Sequence, residues 1–224
     1  MLLLNRKGFV FKALSCWFGV LLLLISQPVQ AAPINQAVLA GGCFWCLEHD
    51  LEKLPGVLDV QSGYSGGDRP NPTYKQVSAG GTGYVESVAV RFDPEKLSYA
   101  ALLRSYWRNV DPTDGNGQFC DRGDSYRPVI FVADASQRST AEASAAAAKA
   151  ELKSPKPLRV AIEPLKRFWP AEDYHQNYAD LNKAKYNFYR WSCGRDARLD
   201  AVWGKKARKG VMWSSLPLKA GEPR

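Results

Sequence analysis

An α/β or α+β sandwich is the fold class that the sequence predicts, because short apolar strands and amphipathic helices follow one another along the chain. The pattern contains no internal repeat and no long linker. A length of 224 residues suits one domain with a full core and leaves little room for a second. We therefore expect a single layered domain in which helices cover a sheet.

Each predicted element has a local cause. Gly41-Gly42 ends the first strand, Pro55-Gly56 closes the first helix, and an alanine-rich stretch of high helix propensity forms the last helix. The predicted strands cover residues 36–40, 57–61, 85–92, 129–133 and 158–163. The predicted helices cover residues 44–54, 97–110 and 135–152.

The strand at residues 85–92 alternates apolar side chains with small or charged ones. Glu86 falls on the same side as Val88 and Val90, which is the side expected to pack inward. Because burial of a carboxyl group raises its pKa, we expect Glu86 to hold a proton near neutral pH.

The N-terminal segment has the pattern of a secretory signal. Basic residues precede an apolar run at residues 13–25, and Ala31 supplies a small residue at a cleavage point. We expect residues 1–31 to be removed on export, together with Cys16, and the protein to be periplasmic or secreted. An uncleaved membrane anchor is the alternative interpretation.

The basic residues are distributed unevenly. The net charge is +8, and once the signal segment is set aside the excess lies at residues 195–224. No basic stripe interleaved with aromatic residues accompanies this excess, so nucleic-acid binding is not expected. We expect a domain at residues 32–203 and a basic, flexible tail at residues 204–224, with membrane contact only through the signal segment.

The cysteines of the exported chain would be Cys43, Cys46, Cys120 and Cys193, and they allow several interpretations. A structural zinc site usually shows two close pairs, whereas two structural disulfides would suit an exported chain. Cys43 lies between a strand end and a helix start, where backbone N–H groups and the helix dipole favour a thiolate and lower the thiol pKa. Cys43 is therefore placed as a nucleophile.

Several motifs agree in order with one known family. They are Gly42-Cys43-Phe44-Trp45-Cys46-Leu47-Glu48, Ser62-Gly63-Tyr64-Ser65-Gly66-Gly67, Gly83-Tyr84-Val85-Glu86, Asp111-Pro112-Thr113, Asp121-Arg122-Gly123-Asp124-Ser125-Tyr126-Arg127 and Ala171-Glu172-Asp173-Tyr174-His175-Gln176. Over about residues 38–203 the chain resembles the A-type peptide methionine sulfoxide reductases. The resemblance implies a ferredoxin-like α+β sandwich around a small mixed sheet, here with a long irregular C-terminal segment.

The resemblance also implies the attack of a thiol on a sulfoxide. Cys43 would attack the sulfur, and Glu86 would protonate the oxygen. Tyr64 and Tyr126 would donate hydrogen bonds to that oxygen, with support from Asp121. The products would be methionine and a sulfenic acid on the nucleophile.

Substrate selection and regeneration follow from the same resemblance. Phe44 and Trp45 would pack against the methyl group of the substrate. Cys193 would resolve the sulfenic acid as an intramolecular disulfide, with Cys46 as its rival, one helical turn from the nucleophile, and Cys120 behind both.

The family implies no prosthetic cofactor and no metal ligands, but an external thioredoxin-like dithiol that reduces the disulfide. The substrate would be methionine S-sulfoxide, peptide-bound or free, and a monomeric enzyme would repair oxidised exported proteins. Two other functions remain open on the residues alone: a thiol-disulfide oxidoreductase that uses the Cys-x-x-Cys segment, and a disulfide-stabilised binding domain. The first of these leaves Glu86, Asp121 and Tyr126 without a role.

Overall fold

The computed structural model describes residues 35–152 and 154–208. The strands in these ranges are β1 (Asn35–Ala40), β2 (Val57–Ser65), β3 (Val85–Phe92), β4 (Gly117–Gln118), β5 (Asp121–Arg122), β6 (Val129–Val132), β7 (Ala161–Pro164) and β8 (Phe168–Pro170). The helices are α1 (Phe44–Leu51), α2 (Tyr74–Ser78), α3 (Tyr99–Trp107), α4 (Ala135–Leu152), α5 (Tyr178–Leu181), α6 (Lys183–Ser192) and α7 (Arg195–Trp203). Short 3-10 helices cover Asp124–Tyr126, Asp173–His175 and Gly204–Lys206.

Six of the strands form one mixed sheet in the order β7-β6-β1-β3-β2-β8. Neighbouring strands are antiparallel except β6 and β7, which are parallel. The four central strands have α1 between β1 and β2 and α3 between β3 and β6, which is the order of a ferredoxin-like sandwich, and α4 follows β6. The predicted α+β class with a small mixed sheet is confirmed.

Both faces of the sheet are packed. Val88 and Val90 of β3 belong to the larger core, which also contains Leu47 of α1 and Leu102 of α3. Removing one such side chain from water stabilises the fold by roughly 1.5–3 kcal/mol. Glu86 lies on the Val88 side of β3, as the alternation predicts, and its side chain is buried with the residue only 3% exposed.

The C-terminal part of the domain differs from the predicted irregular segment, because α5, α6 and α7 lie within it. Helix α6 buries Tyr186 and half-buries Tyr189, and it has no aliphatic stripe. Its sequence therefore lacks the aliphatic periodicity that is typical of an amphipathic helix. The prediction of irregular structure is wrong for residues 178–203.

Other predicted boundaries also shift. Strand β2 continues beyond its predicted end at residue 61 to Ser65, and α1 and α3 are shorter than predicted. The elements α2, β4, β5 and β8 are absent from the prediction. The longer β2 matters for the site, since it places Tyr64 directly opposite Glu86 of β3.

The predicted signal segment at residues 1–31 lies outside the described residues, as does most of the predicted tail. Within the tail, residues 204–206 form a 3-10 turn and Ala207 is buried. In the two described ranges, no helix has the length and apolar character needed to cross a membrane.

Candidate active site

Cys43 lies where the chain turns from β1 into α1. The turn requires glycine at position 42, because Gly42 has a φ of +80° and a Cβ there would lie 2.6 Å from Cβ of Gln118. Cys43 is 6% exposed. The turn therefore places a buried thiol at the N-terminus of a helix.

Two carboxyl groups share this helix N-terminus. The N–H of Phe44 donates to Oε2 of Glu86 at 3.0 Å, and the N–H of Cys43 donates to the carboxyl group of Asp121. Oδ2 of Asp121 also accepts from the hydroxyl of Tyr189 at 2.5 Å. Backbone N–H groups at a helix start favour negative charge, and here they bind the two acidic side chains.

The carboxyl group of Glu86 is protonated at neutral pH. Burial raises the pKa of Glu86 to about 8, and the charges of Asp121 and Cys46 contribute to the rise, whereas the N–H of Phe44 opposes it. The direction agrees with the expectation from the alternation of β3. A buried proton donor thus lies beside the thiol of Cys43.

The pKa of the Cys43 thiol moves in the direction opposite to the sequence-based expectation. Burial raises this pKa well above its usual value, and the hydrogen bond with Cys46 and the charges of Glu86 and Asp121 raise it further. The expected lowering is wrong because the two carboxyl groups already occupy the N–H groups that would stabilise a thiolate.

Cys46, in the first turn of α1, is the more acidic thiol of the two. Its pKa is lowered to about 7 because it is hydrogen-bonded to the thiol of Cys43, and Arg195 and Arg190 contribute to the lowering, whereas burial opposes it. Arg195 is 1% exposed, and its guanidinium donates to the carbonyl of Asn109 at 2.7 Å. A buried cation near Cys46 therefore favours a negative sulfur at this position.

The position of Tyr64 does not fit a direct donor to the substrate. Its side chain is fully buried, and its hydroxyl donates to Oε2 of Glu172 at 2.8 Å. Oε1 of Glu172 accepts from the N–H of Tyr74 at 2.9 Å. Tyr64 therefore holds a carboxylate that in turn binds the backbone of Tyr74.

Tyr74 and Tyr126 are the phenols that face the thiol. Their hydroxyls are hydrogen-bonded to each other, and burial together with Glu86 and Cys43 raises the pKa of Tyr74 to about 12. The pKa of Tyr126 is raised by burial and by the same neighbours. The sequence marks the position of Tyr74 only indirectly: Thr73 opens a capping box, which is typical of the start of a helix, and Tyr74 is the first residue of α2.

Phe44 and Trp45 lie in a cluster of aromatic rings. The indole N–H of Trp45 donates to Nδ1 of His175 at 3.1 Å, and its ring stacks on Tyr178 with centroids 3.7 Å apart. The His175 ring also contacts Phe44, with a centroid distance of 4.9 Å. These contacts fix the orientation of Trp45 next to the nucleophile.

The segment that carries His175 and Tyr178 is fastened to the rest of the domain by side chains. Gln176 accepts from the N–H of Ser62 and donates to its carbonyl, both at 3.0 Å. Oε1 of Glu48, on α1, accepts from the N–H of Asn177 at 3.1 Å. Burial raises the pKa of Glu48 to about 7.

The cysteines form two separate pairs. Cys120 and Cys193 form a disulfide with Cα atoms 5.0 Å apart, across 73 residues of sequence, while Cys43 and Cys46 are free thiols. The two candidates for the resolving thiol therefore belong to different pairs. This arrangement is neither the four-cysteine zinc site nor the two structural disulfides considered from the sequence.

Four residues at the site have no role in the prediction: Tyr74, Tyr178, Tyr189 and Arg195. The last three belong to α5, α6 and α7, which the sequence does not predict as helices. No local signal marks them, because each acts through a contact with an element far away along the chain.

Known proteins are similar to this chain in sequence and fold. The family model described as peptide methionine sulfoxide reductase matches residues 35–207. Peptide methionine sulfoxide reductase MsrA 2 of Caulobacter vibrioides is 54% identical over 180 residues, which cover 80% of this chain and 91% of that protein. The MsrA 2 protein of Rhizobium meliloti is 45% identical over 184 residues, 82% of this chain and 91% of that protein. The crystal structure of Mxr1 from Saccharomyces cerevisiae in reduced form has a TM-score of 0.60 and 32% identity, covering 67% of this chain and 86% of that chain. The chain therefore belongs to the peptide methionine sulfoxide reductase family, as an oxidoreductase of the A type.

Proposed function

We propose that this enzyme reduces methionine S-sulfoxide, peptide-bound or free, through a sulfenic acid on Cys43. The observation that carries the proposal is a buried thiol next to a protonated carboxyl group at one helix N-terminus. Phe44, which follows Cys43, donates its N–H to Glu86, so the backbone holds the acid beside the nucleophile. A sulfoxide needs both groups, since its oxygen must be protonated as its sulfur is attacked.

In the proposed step, Cys43 attacks the sulfur of the sulfoxide while Glu86 donates its proton to the oxygen. The S–O bond of the substrate breaks as its oxygen passes to the Cys43 sulfur, giving a sulfenic acid, and the transient bond between the two sulfurs breaks so that methionine leaves as a thioether. The proton of the Cys43 thiol replaces the one that Glu86 loses. The Cys43 sulfur supplies the two electrons that reduce the substrate.

Tyr74 and Tyr126 donate hydrogen bonds to the sulfoxide oxygen in this proposal. Their raised pKa values keep both phenols protonated near neutral pH. Tyr64 is a positioning residue, because it reaches Tyr74 only through Glu172.

Asp121 also acts by positioning. Its carboxyl group binds the N–H of Cys43, and the hydroxyl of Tyr189 holds that carboxyl group in place. Two hydrogen bonds thus set the orientation of the nucleophile's backbone. Without the carboxyl group of Asp121, the N–H of Cys43 would lose this hydrogen-bond acceptor.

The rings of Phe44 and Trp45 form the surface for the methyl group of the substrate. Stacking on Tyr178 and the hydrogen bond to His175 hold Trp45 in one orientation. A fixed aromatic wall favours a methyl group over larger substituents, because a bulkier thioether would need the stacked rings to move.

Cys46 is the resolving thiol in this proposal. It is hydrogen-bonded to Cys43 and has a pKa of about 7, so its thiolate can attack the sulfenic acid and expel water as the disulfide forms. The family resemblance favours Cys193 for this step, but Cys193 is joined to Cys120. An external thioredoxin-like dithiol then supplies the reducing electrons, and no prosthetic group is needed.

The predicted signal at residues 1–31 supports an exported enzyme. We place it, as a periplasmic or secreted monomer, in the repair of oxidised methionine in exported proteins. Cell fractionation after expression of the full chain tests the location. Recovery of the enzyme only in the cytosol would contradict it.

Turnover of the separated sulfoxide epimers of a methionyl peptide, with dithiothreitol as reductant, tests the reaction. Consumption of the S epimer alone is the expected result, and failure to reduce it would overturn the proposal. Insulin reduction by the same preparation tests the rival oxidoreductase function. Fast insulin reduction without sulfoxide reduction would favour that rival.

A further inference from the structure

We infer that Tyr174 contacts the residue next to methionine sulfoxide in a peptide substrate, and that its ring makes the enzyme prefer an apolar or aromatic side chain there. Tyr174 is then a specificity-determining residue that lies outside the reacting groups. The inference rests on the proposed function, because it concerns how the same site distinguishes one peptide-bound substrate from another and from the free amino acid.

Tyr174 is exposed to solvent although its neighbour in the chain is buried. Tyr174 is 62% exposed, whereas His175 is 1% exposed, and both belong to the 3-10 helix Asp173–His175. A large aromatic ring that stays open to water beside a buried site has surface that a ligand can cover. The change from exposed to buried between these two residues places Tyr174 at the outer rim of the site.

Ring contacts connect Tyr174 to the surface proposed for the methyl group of the substrate. The centroid of the Tyr174 ring lies 4.2 Å from the centroid of the His175 ring. The His175 ring in turn lies 4.9 Å from the ring of Phe44 and 4.4 Å from that of Tyr74. One buried ring therefore separates Tyr174 from side chains that would contact the sulfoxide.

Tyr174 also lies close to the phenol of Tyr74, the proposed donor to the sulfoxide oxygen. Burial is the main cause of the raised pKa of Tyr74, and the phenol of Tyr174 adds to the rise. Glu172, which accepts from the N–H of Tyr74, acts on Tyr174 as well, because burial first and this carboxyl group second raise the pKa of Tyr174. The three side chains form one edge of the site, with Tyr174 on the outside.

A peptide substrate would bring its neighbouring residues to this edge. Cys43 and Phe44 are buried, so the methyl sulfoxide group must enter the site while the main chain of the substrate stays at the rim. A side chain adjacent to the methionine sulfoxide can then pack on the exposed ring of Tyr174. Free methionine sulfoxide has no such side chain, so its reduction should not depend on this ring.

Kinetics with three substrates test the inference. The substrates are free methionine S-sulfoxide, a blocked tripeptide with the S-sulfoxide between two glycines, and a blocked tripeptide with it between two phenylalanines. In Tyr174→Ala, kcat/KM for the phenylalanine peptide should fall about fivefold, the scale of one lost aromatic contact. The kcat/KM values for the other two substrates should change little. No fall for the phenylalanine peptide, or an equal fall for all three substrates, would overturn the inference.

Two further variants test whether the ring of Tyr174 is the cause. Tyr174→Phe keeps the ring and should keep most of kcat/KM for the phenylalanine peptide; a fall as large as that of Tyr174→Ala would overturn the ring contact. Phe188→Ala is the matched control, because Phe188 is a 68% exposed aromatic residue on the side of α6 opposite the buried Tyr186. It should leave all three kcat/KM values unchanged, and a fall equal to that of Tyr174→Ala would overturn the inference.

The unmodified enzyme separates this inference from the proposed function. If it reduces all three substrates and Tyr174→Ala leaves the ratios of their kcat/KM values unchanged, only the inference fails. If it reduces none of them, the proposed function fails. Unchanged reduction of the free sulfoxide by Tyr174→Ala also shows that the variant folds and that its active site is intact.

Discussion

Cys43 with Cys46, the inner pair, and Cys120 with Cys193, the outer pair, place cysteines in opposite surroundings. The inner thiols lie under aromatic rings, next to two carboxyl groups and a buried arginine. The outer disulfide joins the tip of an exposed hairpin to the end of α6. The difference teaches that burial, more than sequence spacing, decides which sulfur is reached only by a side chain that enters the site and which is open to contact at the surface.

The buried surroundings of the inner pair raise the pKa of the nucleophilic thiol, Cys43. A buried thiol beside carboxyl groups is a poor thiolate when the site is empty, since burial raises its pKa. The same burial keeps a proton on Glu86, where the sulfoxide oxygen needs it. Burial around the inner pair therefore keeps Glu86 ready to protonate the sulfoxide oxygen, but it also disfavours the thiolate of Cys43 before substrate binds.

The variant Cys43→Ser is the strongest test of the inner pair, because it removes the proposed nucleophile. A hydroxyl supplies almost no anion near neutral pH and attacks sulfur poorly, so turnover should fall by about a thousandfold or more. The measurement is methionine release in the presence of dithiothreitol, with circular dichroism to show that the variant folds. Activity near that of the unmodified enzyme would remove Cys43 from the reaction.

Glu86→Gln should slow the formation of sulfenic acid by about a hundredfold, the usual scale for the loss of a general acid. Glu86 acts in its protonated form and has a pKa of about 8, so the rate of the unmodified enzyme should fall as the pH rises above that value. Single-turnover kinetics from pH 5 to 9 should show that this limb is lost in the variant.

Glu48→Gln is the matched control for the acid. Glu48 is also a buried carboxyl group, with a pKa raised to about 7, but it binds the N–H of Asn177. Its variant should keep the alkaline limb. Loss of the limb in both variants would show that the limb does not report the proton donor.

Tyr74→Phe should slow the reaction, whereas Tyr64→Phe should mainly lower the free energy of unfolding. Removing the Tyr74 hydroxyl takes away a donor to the sulfoxide oxygen, and we expect the sulfenic acid step to slow by about tenfold. Removing the Tyr64 hydroxyl takes the hydrogen bond from Oε2 of Glu172 and leaves only the one from the N–H of Tyr74, at an expected cost of about 1–3 kcal/mol in the free energy of unfolding. Urea denaturation and single-turnover rates measure the two effects. A larger kinetic loss in Tyr64→Phe than in Tyr74→Phe would show that Tyr64 is the donor to the sulfoxide oxygen.

Much of the fold could be predicted from local pattern. The alternation in residues 85–92 placed Glu86 on the packed face, and Gly41-Gly42 marked the turn at which Cys43 begins its helix. The helix at residues 135–152 follows from alanine content alone. By contrast, α6 was missed because its buried face consists of tyrosines.

The site required more than local pattern. Tyr64 and Tyr74 both lie near Glu86, and only the hydrogen bond from Tyr64 to Glu172, across 108 residues, separates their roles.

The sequence by itself determined the α+β class, the inward direction of Glu86 and the position of Cys43 at a strand-to-helix turn. These features depend on periods of two or 3.6 residues and on turn residues, which act over a few positions. The tertiary structure decided the pairing of Cys120 with Cys193, the hydrogen bond from Tyr64 to Glu172 and the raised pKa of the Cys43 thiol. The physical reason is that disulfides, burial and electrostatic fields depend on which distant groups approach in space, and no local period in the sequence encodes that approach.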